Sequence, residues 1–332
     1  MRAADLRELT AYSAWATQRL LRAAAQARTD DLSRSGKGSF PHALATMVHL
    51  YGVDRLWLGR ATGVATAYPP EGSIPDLATL SSLWLPLLAR WQDFAAGWSD
   101  GRLDARHHYH NTEGKPHASS LAEIVLQSTN HGTYHRGQVA TRLRALGVPP
   151  PDTDLIIYFR QGPIRPAGFG AGELRELLAY SAWATQRALA ACARLGAAQF
   201  TATSCGSFAC MRDLLVHVFG ADRTWLGRLT GHVPPWPDAR CYAEPAALVH
   251  DWQHVLAAWR EFAAGLLDAE CERVVAYRNL QGKPFTNSLR QIVQHVVNHA
   301  TYHRGQITSR LRELDMPPAA TDYVRWLREG RP

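Results

Sequence analysis

Along the first 26 positions apolar residues recur at the spacing of an α-helix. Leu6, Leu9, Ser13 and Ala16 form one stripe in an Ala- and Leu-rich run, which predicts a first helix over 5–26. Pro41 stands where the first turn of a helix tolerates it, and the apolar pattern then continues to about Leu58 as a second helix. Residues 61–78 carry Gly, Pro and Ser and predict a long connection. A third helix follows from about Leu80 to Trp98, which Pro86 should kink or start late. The stretch YHNTEGKPHAS, 109–119, predicts a turn or short hairpin. A fourth helix is expected from Ser119 or Ser120, with serine as N-cap, to the stop signal Gly147-Val148-Pro149-Pro150. Four helices of this length predict a four-helix bundle.

The pattern then begins again. LRELTAYSAWATQR (6–19) returns as LRELLAYSAWATQR (174–187), and HLYGVDRLWLGRATG (49–63) returns as HVFGADRTWLGRLTG (217–231). Trp91 and Trp259, Gly-Lys-Pro at 114–116 and 282–284, and Asp154 and Asp322 keep the same offset of 168 residues, so the alignment needs no net insertion. The fold class expected is therefore all-α, two tandem four-helix bundles over residues 1–162 and 163–332, with the boundary in the Gly- and Pro-rich stretch 160–172. If such a pair replaces a homodimer, the copies should pack about a pseudo-twofold axis and leave the chain monomeric or weakly dimeric.

Composition narrows the class. Of 332 residues, 46% are hydrophobic and 20% charged, as in a globular protein. The formal net charge of +7 tolerates an anionic partner, but no run of five basic residues occurs, and no specific nucleic-acid partner is expected. No apolar run nears the ~18–20 residues that cross a bilayer, so no membrane partner is expected either. The five cysteines all lie in the second half without a C-x-x-C pair, and the N-terminus has no apolar core of a signal peptide. Both features suit a reducing cytoplasm.

The most closely kept peptide is NHGTYHRGQ (130–138), repeated as NHATYHRGQ (298–306). His131 and His135 stand at i and i+4, on one face of the fourth helix, where two imidazoles can share one metal ion. A third ligand is needed. Of the 15 histidines, those kept at the 168-residue offset are His49 and His217, His131 and His299, and His135 and His303. The repeat thus nominates three ligands per copy, one from the second helix and two from the fourth, forming a site with an open position. A lone H-x-x-x-H is weak evidence, and retention could reflect little divergence. Yet loops and Ala- and Leu-rich positions did diverge.

Gln138 and Gln306 stay on the ligand stripe and are expected to line the pocket or bind substrate. Gly52 and Gly220, one turn past the second-helix histidine, either leave room beside the open position or allow close helix packing. Tyr134 and Tyr302 should border the site. Asp54 and Asp222 suit an orienting role behind an imidazole or, more commonly, a solvated surface. Arg136 and Arg304 suit an inter-helix ion pair, and Trp15, Trp57 and Trp91, with their repeats, suit the core. His295 has Gln127 as its counterpart and is expected to be a neutral variant. The H-E-x-x-H of zinc proteases is missing, because Gly132 and Ala300 stand where its Glu would be. No repeat-kept carboxylate lies on the ligand stripe, so reaction would rely on the metal acidifying a bound water or thiol.

NHGTYHRGQVATRLRALGVPPPDTDLIIYFR and its repeat resemble the C-terminal signature of the DinB family, and AYSAWATQRLL and HLYGVDRLWLGRATG resemble its first two helices. The resemblance covers nearly all of each copy. It implies a four-helix bundle with a long crossover between helices two and three, and a three-histidine site for a divalent metal in each copy. It also implies kinship with metal-dependent transferases that use low-molecular-weight thiols. The expected function is a metal-dependent enzyme acting on a small molecule, by thiol-S-transfer or hydrolysis, with Zn²⁺ as the default ion and Ni²⁺ as competitor. The alternative is a non-catalytic metal or small-molecule binding protein linked to stress response.

Overall fold

The computed structural model describes residues 1–111, 113–162 and 168–332. Its first half runs α1 (Ala3–Ala24), α2 (Thr29–Leu32), α3 (Ala43–Thr62), α4 (Leu77–Ala96), a hairpin of β1 (Arg106–His110) and β2 (Pro116–Ser120), α5 (Leu121–Ala145) and α6 (Leu155–Phe159). The second half repeats this order as α7 (Ala171–Cys192), α8 (Ala197–Thr201), α9 (Met211–Thr230), α10 (Pro245–Ala264), β3 (Val274–Arg278), β4 (Pro284–Ser288), α11 (Leu289–Glu313) and α12 (Tyr323–Arg328). The expected boundary between 162 and 163 abuts residues 163–167, which lie outside the described residues, as does Thr112 of the expected turn.

Local chemistry sets the element ends. Ser120 caps α5: its Oγ accepts from the Glu123 N–H at 3.1 Å, while Glu123 Oε2 accepts from the Ser120 N–H at 2.9 Å. Ser288 and Gln291 form the same box on α11. In the hairpin turns, Asn111 Oδ1 accepts from the Glu113 and Lys115 N–H groups, and Asn279 Oδ1 from those of Gln281 and Lys283.

The third helix starts earlier than expected and does not begin late at Pro86. It starts at Leu77 rather than Leu80, because Asp76 caps it by accepting from the Thr79 N–H at 2.7 Å. It also runs through Pro86, which lies on the exposed face, where water can satisfy the carbonyl that proline leaves without its N–H.

The core of the first bundle closes on Leu6, Met47, Leu80 and Ile124, each fully buried. One apolar cluster extends through both halves, and a second lies within the second half. Trp57, Trp91, Trp225 and Trp259 are buried, whereas Trp15 and Trp183 are half-buried, each under an arginine (Arg19, Arg187) 5.0 Å from its ring.

The halves meet where α5 crosses α11. Gly137 lies so close to the Tyr302 carbonyl, and Gly305 to the Tyr134 carbonyl, that a Cβ at either glycine would overlap backbone oxygen. Hydrogen bonds across the crossing are reciprocal. Tyr12 Oη donates to Asn298 Oδ1 at 2.9 Å and Tyr180 Oη to Asn130 Oδ1 at 2.8 Å. Asn130 donates to Thr301 at 3.1 Å and Asn298 to Thr133 at 2.9 Å. Each pair maps onto its mate by the repeat, the signature of an isologous interface. The short C-terminal helices exchange sides as well: α6 packs on α11, and α12 on α5.

Candidate metal centre

The four-residue spacing on α5 sets His131 and His135 side by side with ring centroids 4.4 Å apart, and α3 brings His49 to 5.0 and 4.8 Å from them. In the second half α11 carries His299 and His303, 4.3 Å apart, and α9 brings His217 to 5.3 and 4.8 Å. In each trio one ring nitrogen per residue lies within 4.8 Å of the other two, so each trio could hold a metal ion. Nε2 of His49 is 3.2 Å from Nε2 of His131, and Nε2 of His299 is 3.1 Å from Nε2 of His303. These separations approach the edge of a tetrahedron built on Zn–N bonds of ~2.0–2.1 Å, about 3.3–3.4 Å.

The surroundings prepare the nitrogens as ligands. Nδ1 of His135 lies 2.8 Å from Gln138 Oε1, and the Gln138 amide donates to Ser39 Oγ at 2.7 Å. Since the amide nitrogen faces Ser39, the carbonyl faces the imidazole. Nδ1 therefore carries the proton and the Nε2 lone pair is left bare. His303, Gln306 and Ser207 repeat the chain at 2.7 and 3.2 Å. Burial also favours the neutral imidazole: it holds His49 down at about 4 and His135 and His303 at about 3, pushes His131 and His299 well below the ordinary value, and lowers His217. Converging, neutral, preoriented imidazoles fit a divalent ion.

One consequence is measurable. Three exposed histidines at pH 6 would release about two protons on binding an ion. Burial lowers all six imidazoles from the ordinary value, so proton release per site should fall clearly below that. Calorimetric zinc titrations in buffers of different ionisation enthalpy check this, and a release near two would contradict the burial argument.

The other expected residues fall as follows. Gly52 makes room, but for a side chain: a Cβ there would sit 2.5 Å from the Tyr68 ring, and one at Gly220 would sit 2.8 Å from the Trp236 ring. Both rings come from the long connection after the second helix, so neither helix packing nor an open position explains the glycine. Tyr134 and Tyr302 border the site, with rings 5.1 and 5.3 Å from His135 and His303. The Tyr134 hydroxyl, however, donates across the interface to Thr308 Oγ1 at 2.7 Å.

Asp54 and Asp222 are not solvated surface carboxylates. They accept from the indoles of Trp84 and Trp252 at 2.9 Å, tying α3 to α4 and α9 to α10, and burial raises them to about 6 and about 7. Arg136 and Arg304 take hydroxyl and ring partners in place of an ion pair: they donate to Thr133 and Thr301 and lie over Tyr12 and Tyr180. His295 stays outside the trio, edge-on to Trp225 at 5.1 Å.

Sequence reasoning missed the loop that roofs each site. Phe40 packs 4.5 Å from His49 and 5.8 Å from His135, and Phe208 packs 5.0 and 5.8 Å from His217 and His303. Arg142 pins the first loop by donating to the carbonyls of Gly36, Pro41 and Phe40, and Arg310 pins the second through Ala202 and Thr203. The signal was present: Gly-Ser-Phe stands at 38–40 and again at 206–208. Arg312 of the second half also donates to Ser39 at 2.6 Å, so the first site's hydrogen-bond chain reaches across the interface.

Among the described residues no helix is long and apolar enough to cross a membrane, and all five cysteines are free. A family model described as the DinB family matches the chain twice, over residues 1–164 and 169–330. Protein DinB of Bacillus subtilis (strain 168) is 25% identical over 159 residues, which cover 46% of this chain and 91% of that protein.

Proposed function

Since the chain belongs to the DinB family, which its two halves match in turn, we propose that it is a metal-dependent enzyme acting on a small molecule. Each half binds one divalent ion, through His49, His131 and His135 or through His217, His299 and His303. Zn²⁺ is the default ion for an all-imidazole set and Ni²⁺ the competitor. The observation that carries the reading is the convergence of three imidazoles in each half, two of them buried and the third half-buried. An ion so held supplies a Lewis acid with an open position, able to acidify a water or a low-molecular-weight thiol.

The chain's own residues do the rest. Gln138 and Ser39 hold the proton on Nδ1 of His135, and Phe40 covers two of the rings from solvent. The trios consist of imidazoles alone, and Asp54 and Asp222 are taken up by tryptophans. With no carboxylate in either trio among the described residues to shuttle protons, chemistry on a group acidic enough to ionise at the ion fits best, which favours thiol transfer over hydrolysis. The same feature favours the second reading, a non-catalytic metal or small-molecule binding protein. Thiol conjugation by metal-loaded protein against apoprotein separates the two: turnover confined to the loaded form supports the enzyme, and equal background rates refute it.

Chelation should leave the fold in place. The bundles close on Leu6, Met47, Leu80 and Ile124 and on their repeats, independently of any ion. The far-UV circular dichroism of the apoprotein is therefore expected to match that of the loaded protein; collapse of the helical signal would make the ions structural.

A further inference from the structure

The two trios are alike in kind, but the aromatic neighbour of the second-helix histidine differs. Tyr68 and Trp236 occupy the same place in the repeat, each lying over the glycine of the second helix. The Tyr68 hydroxyl lies 3.1 Å from Nδ1 of His49. Trp236 lies with its ring 6.0 Å from that of His217. An indole N–H can only donate, so it cannot accept from Nδ1–H. His217 has no side-chain hydrogen-bond partner among the described residues, whereas Gln138 and Gln306, Ser39 and Ser207, and Phe40 and Phe208 are matched in the two halves.

We propose that the two metal centres are unequal, and that Tyr68 makes the His49 centre the tighter one while Trp236 leaves the His217 centre the weaker. The inference rests on the metal-binding reading above. Tyr68 acts as a positioning residue. With Nε2 turned to His131, an ion there leaves the proton on Nδ1, and the Tyr68 hydroxyl accepts it and holds the ring toward its two partners. His217 has no such acceptor among the described side chains. Losing such a partner typically lowers metal affinity by about 10–100-fold. Other nearby differences, among them Ala300 in place of Gly132, His295 in place of Gln127 and the Arg312 donation to Ser39, are unchanged in the variants at 68 and 236 that test the proposal.

The test is a zinc titration of the full-length apoprotein against a competing chromophoric chelator. The unaltered chain should show two classes of one ion each, separated by about 10–100-fold. His299→Ala should keep the tight class and His131→Ala the weak one. Tyr68→Phe keeps the ring over Gly52 and removes only the hydroxyl; it should weaken the first centre until the classes merge. Trp236→Tyr supplies the missing acceptor and should tighten the second centre, a gain that a merely structural role for the residue would not produce. Two equal classes in the unaltered chain, or a tight class lost in His299→Ala, would overturn the proposal, as would Tyr68→Phe and Trp236→Tyr both leaving the affinities unchanged. Failure to bind zinc at either centre would overturn the metal reading itself, and this inference with it.

Discussion

A chain carrying both His131→Ala and His299→Ala is expected to bind no zinc or nickel, against two ions for the unaltered chain. Each substitution removes the imidazole whose Nε2 lies closest to a second Nε2 in its trio, 3.2 Å in one half and 3.1 Å in the other. What remains is two imidazoles on different helices, fewer protein ligands than the three or four of a stable zinc site. Each single variant should lose one ion, because the trios share no residue. Elemental analysis of purified protein measures the content directly, and circular dichroism confirms that the variant is folded. A folded double variant that still holds two ions would show that the ligands lie elsewhere.

Gly137→Ala should cost the protein about 3 kcal/mol, the upper end of what overpacking usually costs. An added methyl would meet the Tyr302 carbonyl oxygen, and backbone in the middle of α11 cannot turn aside as a flexible side chain can. The helices must separate. Separation loosens the hydrogen bonds Tyr12–Asn298, Tyr180–Asn130 and Tyr134–Thr308. Gly305→Ala meets the Tyr134 carbonyl in the same way, and the double variant should cost less than the sum, since both act on one crossing. Chemical denaturation reads the change. A loss below about 0.5 kcal/mol, the range of an ordinary surface substitution, would mean that the helices do not approach so closely. The damage should reach the first metal centre too, because Arg312 crosses the same interface to Ser39 and so to Gln138 and His135.

The sequence by itself determined the four long helices and the hairpin of each copy and the ligand candidates, but not the short helices α2 and α6 or their repeats. Helical periodicity, the serine caps and the Gly-Pro stops are local, and local interactions suffice to place a helix to within a few residues. His131 and His135 could be read as a pair because four residues along a helix is already a distance in space. His49 could be added because the duplication compared the chain with itself.

Only the tertiary structure decided what each remaining kept residue is for. Gly52 faces a ring sixteen residues further on, Asp54 an indole on the next helix, and Arg136 a tyrosine on the first. Gly137 of the repeated peptide serves neither helix formation nor the metal, but a helix from the other half. Repetition records that a residue matters without recording its partner. A contact between residues distant along the chain depends on how rigid helices are set against one another, and no pattern within either helix specifies that. The difference between Tyr68 and Trp236 is likewise one aromatic exchanged for another until the fold lays each beside an imidazole, where one can accept a hydrogen bond and the other cannot.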